Sequence, residues 1–171
     1  MTMDIKIQPV SAQTLAETIA LVKKIFPYES QSFISDTITA GLDGDQPHTF
    51  EGIMSPYLHY WVAADDARGH VVGITGLYTT ELDESEAVWI SWFCVNPEYR
   101  RQGIGKQLME FSIKTARTMD KPWLRVYTSN HPNELNSHLL YAKYGFQPFQ
   151  PKKELLVQAK ETILYMQRPF S

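Results

Sequence analysis

The stretch AVWISWFCVNPEYRRQGIGKQLMEFSIKTART, residues 87–118, decides how this chain is read. Its first nine residues are apolar except for Ser91 and contain two interleaved rows: Val88, Ile90, Trp92 and Cys94, then Trp89, Phe93 and Val95. Such a pattern predicts a strand covered on both faces. Asn96, Pro97, Glu98 and Tyr99 turn the chain. Beyond Gly103 the period changes, because Ile104, Leu108, Phe111, Thr115 and Met119 recur at helical spacing, which predicts a helix from Gly103 to Met119.

The first N–H groups of a helix have no partner within it, and the helix dipole adds positive potential at the same point. Gly103 and Gly105 leave the backbone open to an approaching ligand, and Arg100, Arg101 and Lys106 surround it with positive charge. Together these residues predict an anion site suited to a phosphate or pyrophosphate. Two phosphate loops are excluded by spacing. Leu108 stands where a dinucleotide fingerprint needs a third small residue, and Gln107 follows Lys106 where a P-loop needs Ser or Thr.

Arg-x-x-Gly-x-Gly after a buried strand resembles the acyl-CoA pyrophosphate loop of the GNAT superfamily of N-acetyltransferases. A second motif, Leu140-Tyr141-Ala142-Lys143-Tyr144-Gly145-Phe146, is similar to the Tyr-x-x-x-Gly-Phe segment that closes the penultimate helix of that family. The two motifs occur in the family's order.

The remaining chain predicts the elements around this centre. Asp4 to Val10 alternates as a first strand. Ser11 is the expected N-cap of a helix with the stripe Leu15, Ile19, Val22 and Phe26, and a shorter helix spans Ser32 to Ala40. Gly41 to Pro56 reads as a long loop, either a cover over a site or a surface excursion. Tyr57 to Ala64 and His70 to Thr80 form a hairpin ahead of the organising strand, and Trp123 to Thr128 forms a parallel neighbour after the helix. A helix opened by Pro132 turns Leu135, Leu139 and Ala142 to one face, with Leu140 and Tyr144 flanking. Phe146 to Phe149 and Thr162 to Met166 close the chain as a hairpin. This order matches the GNAT arrangement along nearly the whole chain. The resemblance implies an α/β (α+β) fold: a mixed, mostly antiparallel central sheet of about seven strands flanked by helices on both sides. Residues 1–171 are expected to form one such domain.

Composition narrows the function. Of 171 residues, 43% are hydrophobic and 20% charged, and a net charge of −3 argues against a general nucleic-acid binder. A single cysteine, Cys94, rules out an internal disulfide and reads as a small core residue rather than a nucleophile. Neither a secretory leader nor a membrane span of roughly 20 apolar residues is expected, so the expected location is cytoplasmic, with no membrane partner. No spacing of His, Cys or carboxylates suggests a metal site.

The resemblance implies acetyl transfer from acetyl-CoA to a primary amine of a small molecule or peptide, by direct attack in a ternary complex. It places the donor on Gln102, Gly103, Ile104, Gly105 and Lys106, with Arg100 and Arg101 nearby and main-chain groups around Phe93, Cys94 and Val95 along the pantetheine arm. It makes Tyr141 the acid that protonates the leaving thiolate, an imperfect match between a phenol near pKa 10 and a thiol near 8.5 that depends on the surroundings. Glu81, directly after a strand, leads Asp83, Glu86 and His138 as the group that takes the amine proton. The acidic turn holding Glu81, Asp83 and Glu86 has a simpler reading as a solvated surface. Glu134 stands where the family commonly has asparagine, which weakens any asparagine contact to CoA. Trp61, Trp89, Trp92, Tyr57, Tyr60 and Tyr78 are either core or the lining of an acceptor pocket. A homodimer is compatible with the family. The alternative reading is a non-catalytic acyl-CoA-binding regulatory module.

Overall fold

The computed structural model describes residues 3–170. Its strands are β1 (Ile5–Pro9), β2 (His48–Phe50), β3 (Ile53–Ser55), β4 (Leu58–Asp65), β5 (His70–Tyr78), β6 (Ala87–Val95), β7 (Trp123–Ser129), β8 (Gln147–Pro148) and β9 (Ile163–Pro169). Its helices are α1 (Leu15–Ile25), α2 (Gln31–Ala40), α3 (Ile104–Arg117) and α4 (Leu135–Lys143). Seven strands form one sheet in the order β1-β4-β5-β6-β7-β9-β8, in which only β6 and β7 run parallel. This is the mixed, mostly antiparallel sheet with flanking helices expected from the sequence. β9 enters between β7 and β8, so the closing pair lies at the sheet's far edge.

Two apolar layers sandwich the sheet. Ile104, Leu108, Met109, Ile113 and Ala116 of α3 pack with Val88, Ile90, Phe93, Leu124 and Val126. Leu21, Val22 and Ile25 of α1 and Ile34 and Ile38 of α2 pack with Val62, Ile74 and Cys94.

β6 departs from simple alternation. Ile74 of β5 pairs with Cys94 and Gly76 with Ser91, so Thr75 alone faces both Trp92 and Phe93. This β-bulge reverses the side chains beyond it. Phe93 therefore joins Val88 and Ile90 in the α3 layer, while Trp92 and Cys94 join the α1/α2 layer, which corrects the two rows expected from the sequence. Gly76 at the bulge is required by packing, since a Cβ there would stand 2.4 Å from the Tyr60 ring.

Other expectations shift in detail. Thr14 rather than Ser11 holds the N-cap position of α1, without a side-chain cap hydrogen bond, and the buried face of α1 is Thr18, Leu21, Val22 and Ile25. Residues 41–56 are a 3₁₀ turn, Gly41–Asp43, followed by the β2–β3 hairpin, rather than an irregular loop. Its two-residue turn, Glu51 and Gly52, has φ of 52° and 81°, the positive angles that a type I′ hairpin requires. On α4 the predicted face is wrong: Leu135 and Leu139 are 49% and 75% exposed, while Tyr141 is buried against Phe93 and Phe146. Pro132 opens a separate 3₁₀ turn, Pro132–Glu134, ahead of the helix.

Candidate active site

β6 and β7 pair only at Ala87/Trp123, Val88/Leu124 and Trp89/Arg125. Beyond Trp89 they splay, and β6 from Ile90 to Val95 has no ladder partner on its β7 side. A cavity of about 560 Å³ occupies the opening.

A buried ion cluster pins the vertex. The Asp83 carboxylate accepts hydrogen bonds from Arg125 Nη1 at 2.8 Å, Trp89 Nε1 at 2.8 Å and Thr80 Oγ1 at 3.1 Å. Arg125 also donates to Gln167 at 2.9 Å and to Glu86 at 3.4 Å, and it lies over the Phe149 ring at 4.8 Å. The acidic turn is thus only partly a solvated surface, because the Asp83 side chain is fully buried at the last paired rung of β6 and β7.

The sequence-predicted anion loop forms one end of the cavity. Arg100, Arg101, Gly103, Ile104, Gly105 and Lys106 all line it, and Gln102 falls between them in the chain. Gly103 adopts φ +82° as the N-cap of α3, with Arg101 also left-handed at φ 62°. The first helical bond runs from Gln107 N–H to Gly103 O, so the preceding N–H groups face forward without intrahelical partners. Phe93, Cys94 and Val95 also line the cavity. The Val95 carbonyl accepts from Arg100 Nε at 3.2 Å, which ties that arginine to the strand it follows. Burial pushes the Cys94 thiol up to about 12, against a smaller downward pull from Arg100, so it stays a neutral thiol at ordinary pH.

Tyr141 reaches the cavity from α4 and is 3% exposed. Its phenol is held well above the ordinary value, first by burial and then by Glu134 and Cys94, with Ser137 acting the other way. Glu81 is placed elsewhere. Its Oε1 accepts from the Met54 N–H at 3.0 Å while its own N–H donates to the Met54 carbonyl at 2.9 Å, and it does not belong to the lining. Glu81 thus clamps the β2–β3 hairpin. His138 is occupied as well, with Nε2 2.9 Å from the Ser129 carbonyl and 3.3 Å from Thr128 Oγ1.

The cavity is also lined by residues the sequence did not single out. Glu29, Phe33, Phe50, Glu51, Tyr127 and Thr128 line it together with Trp92, Tyr78 and Tyr60. Glu29 is half-buried, and burial raises its carboxyl above the ordinary range, helped by Glu134 and Glu161 and opposed by His131. Glu134 is the most heavily bonded carboxylate, accepting from Tyr28, Thr128 and the Ser129 N–H at 2.8, 3.1 and 3.2 Å, and from the Ser129 hydroxyl. Tyr60 is fixed by a 2.7 Å contact with Ser91, and burial pushes its phenol up to about 12. The one legible signal for the hairpin was Phe50-Glu51-Gly52-Ile53, apolar residues flanking a two-residue turn that ends in glycine.

Comparison with known proteins settles the family. A model described as an acetyltransferase (GNAT) domain matches residues 56–148. This chain belongs to the GNAT acetyltransferases. It is an acyltransferase enzyme of a family that takes its acyl group from acetyl-CoA. A Bacillus subtilis (strain 168) protein, provisionally named a ribosomal protein bS18-alanine N-acetyltransferase, is 31% identical over 118 residues, covering 68% of this chain and 72% of that protein. The GNAT fold is shared with a Staphylococcus aureus MU50 acetyltransferase of the family, at TM-score 0.75 and 16% identity over 98% of this chain and all of that one. A GNAT acetyltransferase of Elizabethkingia anophelis, solved with acetyl-CoA bound, superposes at TM-score 0.67 and 20% identity, covering 96% and 97% of the two chains. Among the described residues of this GNAT enzyme, no helix is long and apolar enough to cross a membrane.

Proposed function

We propose that this enzyme transfers an acetyl group from acetyl-CoA to a primary amine by direct attack, with both substrates held in the cavity between β6 and β7. The observation that carries this reading is the unpaired stretch of β6 running into the N-terminus of α3, so that an extended arm and a diphosphate are met by one continuous piece of backbone.

The N–H groups of Gln102 to Lys106 take the pyrophosphate, with Arg100, Arg101 and Lys106 screening its charge. The open side of Phe93, Cys94 and Val95 receives the pantetheine amides as an added strand would be received. Arg100, tied to Val95, keeps a positive charge where phosphate meets strand.

The amine nitrogen attacks the thioester carbonyl carbon; the C–N bond forms as the C–S bond breaks. Tyr141 donates its phenol proton to the departing thiolate; burial makes the phenol a weaker acid, so the transfer must accompany C–S cleavage rather than precede it. Glu29 takes the proton lost by the amine. Its raised carboxyl makes it a better base near neutrality than a fully solvated one, whereas Glu134 already spends its oxygens on four donors. Glu81, the acid favoured by the sequence, acts as a positioning residue by holding the hairpin that covers the acceptor half.

The test follows both substrates: calorimetry with CoA, and release of free CoA from acetyl-CoA in the presence of amines. Saturable CoA binding with amine-dependent release supports the reading. CoA binding without release by any primary amine or peptide N-terminus would favour the non-catalytic module, and absence of CoA binding would overturn both.

A further inference from the structure

The cavity is lined by charges of both signs. Its basic side chains, Arg100, Arg101 and Lys106, all lie at the N-terminus of α3, whereas its carboxylates, Glu29, Glu51 and Glu134, come from the loop after α1, the β2–β3 turn and the turn before α4. An aromatic corner whose residues come from four separate segments lines the same cavity. Phe33 of α2 meets Phe50 of the hairpin edge-on at 6.0 Å and Trp92 of β6 at 6.2 Å, and Phe26 meets Trp92 at 5.3 Å.

Two features distinguish this corner from ordinary core. Phe33, Phe50 and Trp92 are only half-buried, so their remaining surface is turned to the cavity. The indole is also held in one orientation, since Trp92 Nε1 donates to Thr37 Oγ1 at 2.9 Å. Preorganised, incompletely covered rings beside carboxylates are suited to an apolar body with a cationic end. The reversal at the β6 bulge is what brings Trp92 to this side.

We infer that the acceptor is a small primary amine carrying a flat apolar group, which seats against Phe33, Phe50 and Trp92 with its ammonium directed to Glu29 and Glu51. This rests on the acetyl-transfer reading above and specifies its acceptor. A polyamine would find carboxylates for its further ammonium groups in Glu51 and Glu134, but its methylene chain leaves the ring faces largely uncovered. The N-terminal alanine in the name of the Bacillus subtilis relative offers a methyl group, which leaves the rings uncovered.

The test uses the full chain, acetyl-CoA and five acceptors: 2-phenylethylamine, tryptamine, ethylamine, spermidine and a short peptide beginning with alanine. The aryl amines should exceed ethylamine and spermidine in kcat/KM by about a hundredfold, the order expected for filling a ring-sized apolar pocket. Phe50→Ala should remove most of that preference with the Kd for CoA unchanged, and Glu29→Gln should depress kcat/KM for every amine. Preference for spermidine or the alanine peptide would overturn the inference, as would an aryl preference that survives both Phe50→Ala and Trp92→Ala. If CoA binds and none of the five is acetylated, the acceptor assignment falls while donor binding stands; if CoA itself does not bind, the transferase reading fails first.

Discussion

Replacing Asp83 by alanine should damage this protein more than any other single change in its acidic turn. The Asp83 carboxylate is fully buried and accepts from Arg125, Trp89 and Thr80. Without it, Arg125, whose side chain is 10% exposed, keeps only Gln167 at 2.9 Å and Glu86 at 3.4 Å, and Glu86 is already shared with Lys152. The Trp89 indole N–H loses its acceptor inside the core. Removing one member of a buried ion pair costs about 3–5 kcal/mol, a figure that already includes part of the penalty of about 1–3 kcal/mol for the orphaned donor. An expected loss of about 4 kcal/mol corresponds to roughly 8–16 °C in Tm for a chain of this length. Urea unfolding followed by tryptophan fluorescence measures it directly, and Asp83→Asn, which keeps the shape and part of the bonding, should fall between wild type and Asp83→Ala. Because Trp89/Arg125 is the last rung before the strands part, CoA affinity should weaken in Asp83→Ala even at temperatures where it is folded. A change below about 1 kcal/mol in Asp83→Ala would refute the idea that this cluster holds the vertex.

Tyr141→Phe should lower kcat by about 10²–10⁴ with the Kd for CoA unchanged, measured by free-thiol release and calorimetry. Gly103→Ala places a Cβ at φ +82°, which costs about 1–2 kcal/mol and should weaken CoA binding about tenfold, while Gly105→Ala should leave stability unaltered, its Cβ meeting Leu140 and Val95 at ordinary distances of 3.7 and 3.8 Å. Glu81→Ala should raise KM for the amine by loosening the hairpin and leave CoA affinity intact; a drop in kcat at unchanged KM would instead make Glu81 the base. Alkaline stability follows from Cys94 and Tyr60, whose protonated forms are favoured by burial, with both groups pushed up to about 12 from ordinary values of 9.0 and 10.0. In that window the native state holds more protons than the unfolded one, so stability is full below about pH 9 and declines toward pH 12; Cys94→Ala should remove the early part of the decline in pH-dependent urea titrations.

What the sequence determined by itself was local. The run Ala87–Val95, the glycines at 103 and 105 and the helical period after them fix a strand, a left-handed turn and an amphipathic helix, because each depends on backbone sterics and on neighbours a few residues away. The backbone of the loop proposed to bind the diphosphate was legible for the same reason, since every residue that forms it is contiguous. The tertiary structure decided what depends on register and on distant partners. A bulge opposite Thr75 reversed Trp92 and Phe93, and no period within β6 could announce it. The buried face of α4 follows Tyr141, which packs against Phe93 and Phe146, rather than its leucines at 135 and 139. Asp83 became a buried ion through Arg125 in a strand far along the chain, and Glu81 became a hairpin clamp through Met54. The aromatic and acidic lining of the cavity was the least legible part because Glu29, Phe33, Phe50 and Trp92 come from separate elements, and only packing places their side chains around one volume.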